Sequence, residues 1–166
     1  VVFATKSILN RNGPLMPSMA VTITAPDGTE TQSYDVYPVE QFSASREGCD
    51  VRIGPCTLRG DLQRYELHAE TPAGAVVDVV MTGVVPAWRP GAGMNFYDEG
   101  LTRFFGWLPA IPYGTVEGTL TRDGQTSSVR GTCYHDHNWG NIGLNQVMSH
   151  WYWGRAHIGD FTTIFV

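Results

Sequence analysis

No window of this chain keeps apolar residues at i, i+3 and i+4 through three helical turns. Short runs rich in Val, Thr, Tyr and Phe recur instead between clusters of Gly, Pro, Asn and Asp. That grammar restricts the chain to β structure. Three segments repeat it as strand, turn, strand: AVTIT-APDGTET-QSYDVYP, YELHAE-TPAG-AVVDVVMTG and TVEGTLT-RDGQ-TSSVRGTCYHD. Each turn holds a residue suited to positive φ or to an Asx bond, which is what a tight hairpin needs. The expected fold is all-β: an antiparallel meander of hairpins, strongly curved or closed into a barrel. The 166 residues suffice for one domain with a sizeable core.

Two strands differ in what should cover them. AVVDVVMTGVV is largely apolar on both faces and reads as a central strand covered on both sides, whereas ELHAE has one wet face. Residues 87–114, AWRPGAGMNFYDEGLTRFFGWLPAIPYG, carry the Gly and Pro load of a long connection together with many aromatic rings. They read as a packed loop that lines or lids a cavity.

Charge narrows the partners. Only 11 Lys and Arg stand against 16 Asp and Glu, for a net charge of −5, and no basic cluster occurs, so nucleic acid is not expected as a partner. A hydrophobic small molecule moves up. The longest apolar stretch, AGAVVDVVMTGVVPAW, is broken by Asp78, Thr82 and Pro86 and falls short of a helical membrane span, so a soluble chain is expected. VVFAT at the start and TTIFV at the end both read as strand interiors, so 1–166 is expected to be one domain of a longer chain. Cys49, Cys56 and Cys133 show no C-x-x-C spacing; Cys49 and Cys56 could be bridged, but free thiols are the simpler expectation.

Chemistry concentrates in CYHDHNWGN, residues 133–141. On a strand, alternation sets Val129, Gly131, Cys133, His135, His137 and Trp139 on one face, and Arg130, Thr132, Tyr134, Asp136 and Asn138 on the other. The first row begins small and apolar, so it should run toward the interior. In SHWYWGRAHIGDFTTIFV, Trp151, Trp153, Arg155 and His157 share one parity, and Ile158-Gly159-Asp160 reads as a tight turn into a last strand. Three readings of the motif stand side by side. His135 and His137 could share a metal ion, with His150, His157, Asp160 or Glu117 as third ligand. Asp136 or a histidine could donate a proton to a substrate, since a dry site can keep a carboxyl protonated. Or the polar side chains could simply tie down a sharp turn. Glu117 and Arg155 could form a buried pair or be solvated.

The blocks FFGWLPAIPYGTVEGTLTRDGQTSSVRGTCYHDHNWGN and HWYWGRAHIGDFTTIFV resemble the carotenoid 1,2-hydratase family, also called hydroxyneurosporene synthase-like, over residues 104–166. The resemblance implies a lipocalin-like β-barrel that packs against a second lipocalin-like domain of the same chain. It also implies cofactor-free hydration of a terminal trisubstituted alkene in an acyclic carotenoid. Asp136 or His137 would then be the acid, with Trp139 facing the developing carbocation and His135 beside them. Trp107, Tyr113, Tyr134, Tyr152, Trp153 and Arg155 would contact the substrate. The family's Tyr-x-Asp pair after the tryptophan-rich block reads TTIFV here, with Phe165 near the tyrosine position and Asp160 earlier. The same superfamily includes pericyclases of the Diels–Alder type and epoxide-rearranging enzymes that use zinc, and a non-catalytic carrier of a hydrophobic ligand is the alternative from another class.

Overall fold

The structure, a computed structural model, describes residues 1–7 and 10–166. Thirteen strands among the described residues follow in chain order as β1 (Val2–Ala4), β2 (Ser18–Thr24), β3 (Glu30–Val36), β4 (Phe42–Ala44), β5 (Cys49–Ile53), β6 (Cys56–Gly60) and β7 (Arg64–Glu70), then β8 (Val76–Gly83), β9 (Met94–Phe96), β10 (Phe104–Arg122), β11 (Gln125–Gly140), β12 (Gly154–Ile158) and β13 (Phe161–Phe165). All pairings are antiparallel, and the only helical pieces described are single 3-10 turns at Val39–Gln41 and Leu144–Gln146. No helix among the described residues is long and apolar enough to cross a membrane.

The three expected hairpins are present as β2–β3, β7–β8 and β10–β11. The last turns on Asp123 and Gly124, with φ of 52° and 73°. Two consecutive positive φ values make the type I′ geometry whose twist matches that of the flanking strands. Nearest-neighbour pairing then builds one large sheet in the order β11-β10-β8-β7-β6-β5-β4, with β9 also on β10. β1-β2-β3 and β12-β13 form two smaller sheets. Among the described residues no pairing joins β4 to β11, so the large sheet is a meander open between those edges rather than a closed barrel.

The core lies on one face of this sheet. Met19 and Val21 of β2 pack on Ile53, Cys56 and Ala69, so the small β1–β3 sheet covers the large one over β5–β7. A second cluster of Leu58, Tyr65, Met81, Ala110 and Ile111 continues it across β6, β7, β8 and β10. Burying a large apolar side chain stabilises by about 1.5 to 3 kcal/mol, which is why these alternating positions set the register. β8 is central, as expected, but covered on one side only: Asp78 and Thr82 are exposed. On that far face an open groove of about 320 Å³ is lined by Thr57, Arg59, Glu66, His68, Asp78 and Glu117, among others. All three cysteines are free, and Cys56 is buried.

The reading of 87–114 as a loop needs correction. Its second half, from Phe104, is the start of β10, the longest strand described. Pro109 and Pro112 caused the misreading. They sit where the β10–β11 ladder is irregular, between Pro109 and Ile111 and between Ile111 and Gly114. Proline cannot donate to a ladder and is at home in such bulges.

Candidate functional site

β11 runs through the motif as one regular strand from Gln125 to Gly140, because β10 absorbs both irregularities. Alternation therefore holds to its end, and the motif is not a turn. On the core side, Cys133 packs against the second cluster, and His135 meets Tyr65 edge-on with centroids 4.5 Å apart. His137 stacks on Trp139 at 5.6 Å and 16°. Trp139 lies over Gly106, whose missing side chain makes room for it: a Cβ there would fall 2.2 Å from Cε2 of the indole.

Burial pushes both imidazoles below the usual histidine range, the charge of Asp136 opposing this in each and that of His137 adding to it at His135. His137 remains exposed at its outer edge although protein atoms crowd its ring. Both rings are therefore neutral near pH 7, fitted to accept a proton rather than to give one.

The opposite face carries Tyr134, Asp136 and Asn138, and here the aromatic residues converge. Oδ2 of Asp136 accepts hydrogen bonds from Trp107 Nε1 at 2.8 Å, Tyr134 Oη at 3.1 Å and Asn138 Nδ2 at 3.3 Å. Trp88 meets Trp107 edge-on at 6.1 Å, and Trp153 lies against Tyr134 at 5.3 Å. Burial first, and then the charge of Asp136, push the Tyr134 phenol far above its ordinary range, so it stays protonated.

The β12–β13 hairpin docks beside this group. Arg155 donates to the carbonyls of Pro112 and Cys133 at 3.4 and 3.5 Å and sits 5.4 Å over the Tyr134 ring, while His157 stacks on Tyr113 at 3.7 Å. Of the four residues of one parity, Trp153, Arg155 and His157 reach toward β10 and β11, whereas Trp151 is 52% exposed and makes none of the ring contacts described.

The aromatic residues expected to line an interior cavity instead form a shelf on the sheet face away from the core, open to solvent. Trp88 and Trp153 keep 52% and 46% of their surface exposed. The 320 Å³ groove lies elsewhere on that face, among charged side chains. Of the expected substrate contacts, Trp107, Tyr113, Tyr134, Trp153 and Arg155 are brought together, whereas Tyr152 is 76% exposed and touches only His150 among the ring contacts described. His135, His137 and Trp139 lie on the other face from Asp136. Glu117 lines the groove, and Arg155 bonds to carbonyls, so the two do not pair. Among the described residues no group of three or more His, Cys, Asp or Glu side chains could hold a metal ion, which leaves the His135 and His137 pair without a third ligand.

Two participants were not singled out from the sequence. Trp88 lies in the aromatic stretch 87–114 with no partner assigned, and Asn138 falls on the right face with only the tying of a turn as its expected role. The signal for both was their company: an indole near an indole, and an amide two residues from a carboxylate on one strand face.

The family described as carotenoid hydratase CrtC matches residues 42–166, reaching well upstream of the motif blocks. A curated relative, the hydroxyneurosporene dehydrogenase of Chlorobaculum tepidum, is 34% identical over 71 residues, covering 39% of this chain and 17% of the relative. The chain thus spans less than a fifth of that relative's length. A crystal structure of a Nitrosomonas europaea protein assigned as AttH matches with a TM-score of 0.64 at 17% identity, over 80% of this chain and 42% of the other. That likeness speaks for the AttH-like, lipocalin-related fold.

Proposed function

The chain belongs to the carotenoid hydratase CrtC family, and from that premise we propose that it forms part of a hydratase acting on a C=C bond of a hydrophobic polyene, with Asp136 as the proton-exchanging carboxyl. The observation that supports this reading is the position of Asp136, set among Trp107, Tyr134 and Trp153 rather than spent on backbone groups of a turn. A proton passes from the carboxyl to one alkene carbon, leaving a carbocation at the other. Water adds to the cation, and the proton it sheds returns to the carboxylate. Atoms and charge balance without a cofactor. Aromatic faces beside the carboxyl stabilise a cation by about 0.5 to 2 kcal/mol each, and the shelf presents several.

Only one side of such a substrate would be covered here. The exposed apolar side chains of Ile158, Phe161 and Phe165 lie on the hairpin next to the shelf. We read 1–166 as a lipocalin-like unit whose shelf and hairpin are covered by a second such domain of the complete protein, in keeping with the 42% coverage of the AttH structure.

The test uses the complete protein with neurosporene in detergent, the product being followed by mass spectrometry as the gain of one water. Asp136→Asn should lower turnover by about 10² to 10⁴, the usual contribution of a positioned acid-base group, with circular dichroism unchanged. Full activity in that variant rules the assignment out. A carrier would return neurosporene unchanged from the wild type as well. A second reading puts the polyene against the exposed edge of the His137 and Trp139 stack on the other face; His137→Gln, rather than Asp136→Asn, would then stop the reaction.

A further inference from the structure

We propose that Asp136 reacts through a single oxygen: Oδ1 gives and recovers the proton, while Trp107, Tyr134 and Asn138 are positioning residues that hold Oδ2. This rests on the reading of Asp136 as the proton-exchanging group and says how that group is made to work.

The asymmetry is complete. All three hydrogen bonds to the carboxyl end on Oδ2, and none among the described residues reaches Oδ1. A carboxylate has about four lone-pair sites over its two oxygens, so three donors on one oxygen leave no place there for a proton. In the acid form the proton belongs on Oδ1.

The donors also arrive from different directions. Tyr134 and Asn138 flank Asp136 along β11, and Trp107 reaches across from β10. Three anchors on one atom fix the plane of the carboxyl and the direction in which Oδ1 points. The two aromatic anchors are themselves held: Trp107 against Trp88, and Tyr134 under Arg155 and against Trp153. Neither the indole nor the phenol loses its proton near neutrality, so both remain donors throughout.

The arrangement favours the transition state. As the Oδ1–H bond breaks and its electron pair stays on the carboxylate, the new C–H bond is made from the alkene π pair, and positive charge appears on the second carbon. The negative charge left behind spreads to Oδ2, where three donors are already aimed. Such donors bind the developing charge more strongly than they bind the neutral acid, and that difference lowers the barrier. After water has formed the C–O bond, its surplus proton returns to Oδ1 and the cycle closes.

The experiment measures kcat, KM and the solvent isotope effect for the complete protein on neurosporene with Trp107→Phe, Tyr134→Phe and Asn138→Ala. Tyr134→Phe keeps the ring and removes one donor; Trp107→Phe removes another and leaves a smaller aromatic ring in place of the indole. Each should lower kcat about tenfold to a hundredfold, the worth of a hydrogen bond to a charged group, with KM within about twofold of wild type. The solvent isotope effect on kcat should rise as proton transfer becomes more limiting; a merely structural change would not move it. Asn138 makes the longest of the three bonds and is exposed, so Asn138→Ala should fall least and serves as the variant that folds if the aromatic changes do not. Folded variants with kcat and isotope effect like wild type, beside an inactive Asp136→Asn, overturn the cradle while leaving Asp136 in place. An active Asp136→Asn overturns the reading beneath it.

Discussion

Replacing Gly106 by alanine should destabilise the chain through one ring. Gly106 is buried in β10 opposite Trp139, and its φ lies outside the left-handed region, so the added methyl brings no backbone strain. By itself Gly→Ala would stabilise by about 0.4 to 1 kcal/mol, by reducing the freedom of the unfolded chain. Against that, the new Cβ would stand 2.2, 2.5 and 2.6 Å from Cε2, Cδ2 and Cζ2 of Trp139. Those atoms belong to a rigid bicycle that cannot fold aside, and His137 is stacked on it. On its far edge, a Cβ built on Gly93 would lie 3.1 Å from Cη2, so the ring has little room there either. Overpacking of this kind costs about 1 to 3 kcal/mol, and contacts this short belong at the upper end, for a net loss of about 2 kcal/mol. In a chain of this size that is a drop of about 4 to 8 °C in Tm. The assay is urea unfolding of Gly106→Ala in the wild-type and Trp139→Leu backgrounds. Leucine is smaller and flexible, so in that background the alanine should cost nothing, and the cycle should show a coupling of about 2 kcal/mol. An equal cost in both backgrounds, or no cost in either, would refute the reasoning.

Two histidines should give opposite pH slopes. Nδ1 of His68 lies 2.6 Å from Asp78 Oδ1 across β7 and β8, and this hydrogen bond, outweighing partial burial, raises its pKa. A raised folded-state pKa means stabilisation fully present below the unfolded value of about 6.5 and lost as pH rises through the folded one. Both partners are partly exposed, so the effect is at most about 1 kcal/mol; Asp78→Asn should abolish it, as read by urea midpoints and NMR titration of His68. For His135 burial lowers the pKa, so its contribution is full above about pH 6.5 and is lost as pH falls. His135→Gln should flatten the loss of stability on the acid side, measured as urea midpoints between about pH 5 and 7.

Most of the fold could be read from local chemistry. The hairpins announced themselves because Pro-Asp-Gly, Pro-Ala-Gly and Asp-Gly each supply a turn conformation that few other residues tolerate, and alternation on either side assigned the faces. Two things could not be read this way. Whether β8 is covered on both sides depends on what lies above Asp78 and Val80, which is a tertiary matter; both line a charged groove, not a second layer. The start of β10 was hidden because Leu-Pro-Ala-Ile-Pro-Tyr-Gly carries the composition of a loop. Proline weakens a strand only where its missing N–H is needed, and at a bulge it is not needed.

The same bulges explain why the faces of the motif were legible and its partners were not. Extended without interruption from the pair Gly114 and Cys133, the ladder would set Trp107 opposite Gly140 and Ile111 opposite Asp136. The two extra residues in β10 move Trp107 back to Asn138 and Pro109 to Asp136. Because the shifts add up to two, the side chains of β10 beyond both bulges keep their face and only the stretch between them, with Ile111, is turned to the core, while alternation along the regular β11 holds throughout. The same shift changes which side chains meet across the strands, and it brings the Trp107 indole within 2.8 Å of Asp136. A single bulge would have turned Trp107 to the core side. The grip on Asp136 thus depends on an even number of irregularities in a neighbouring strand, a property of the pair of strands that neither sequence carries alone.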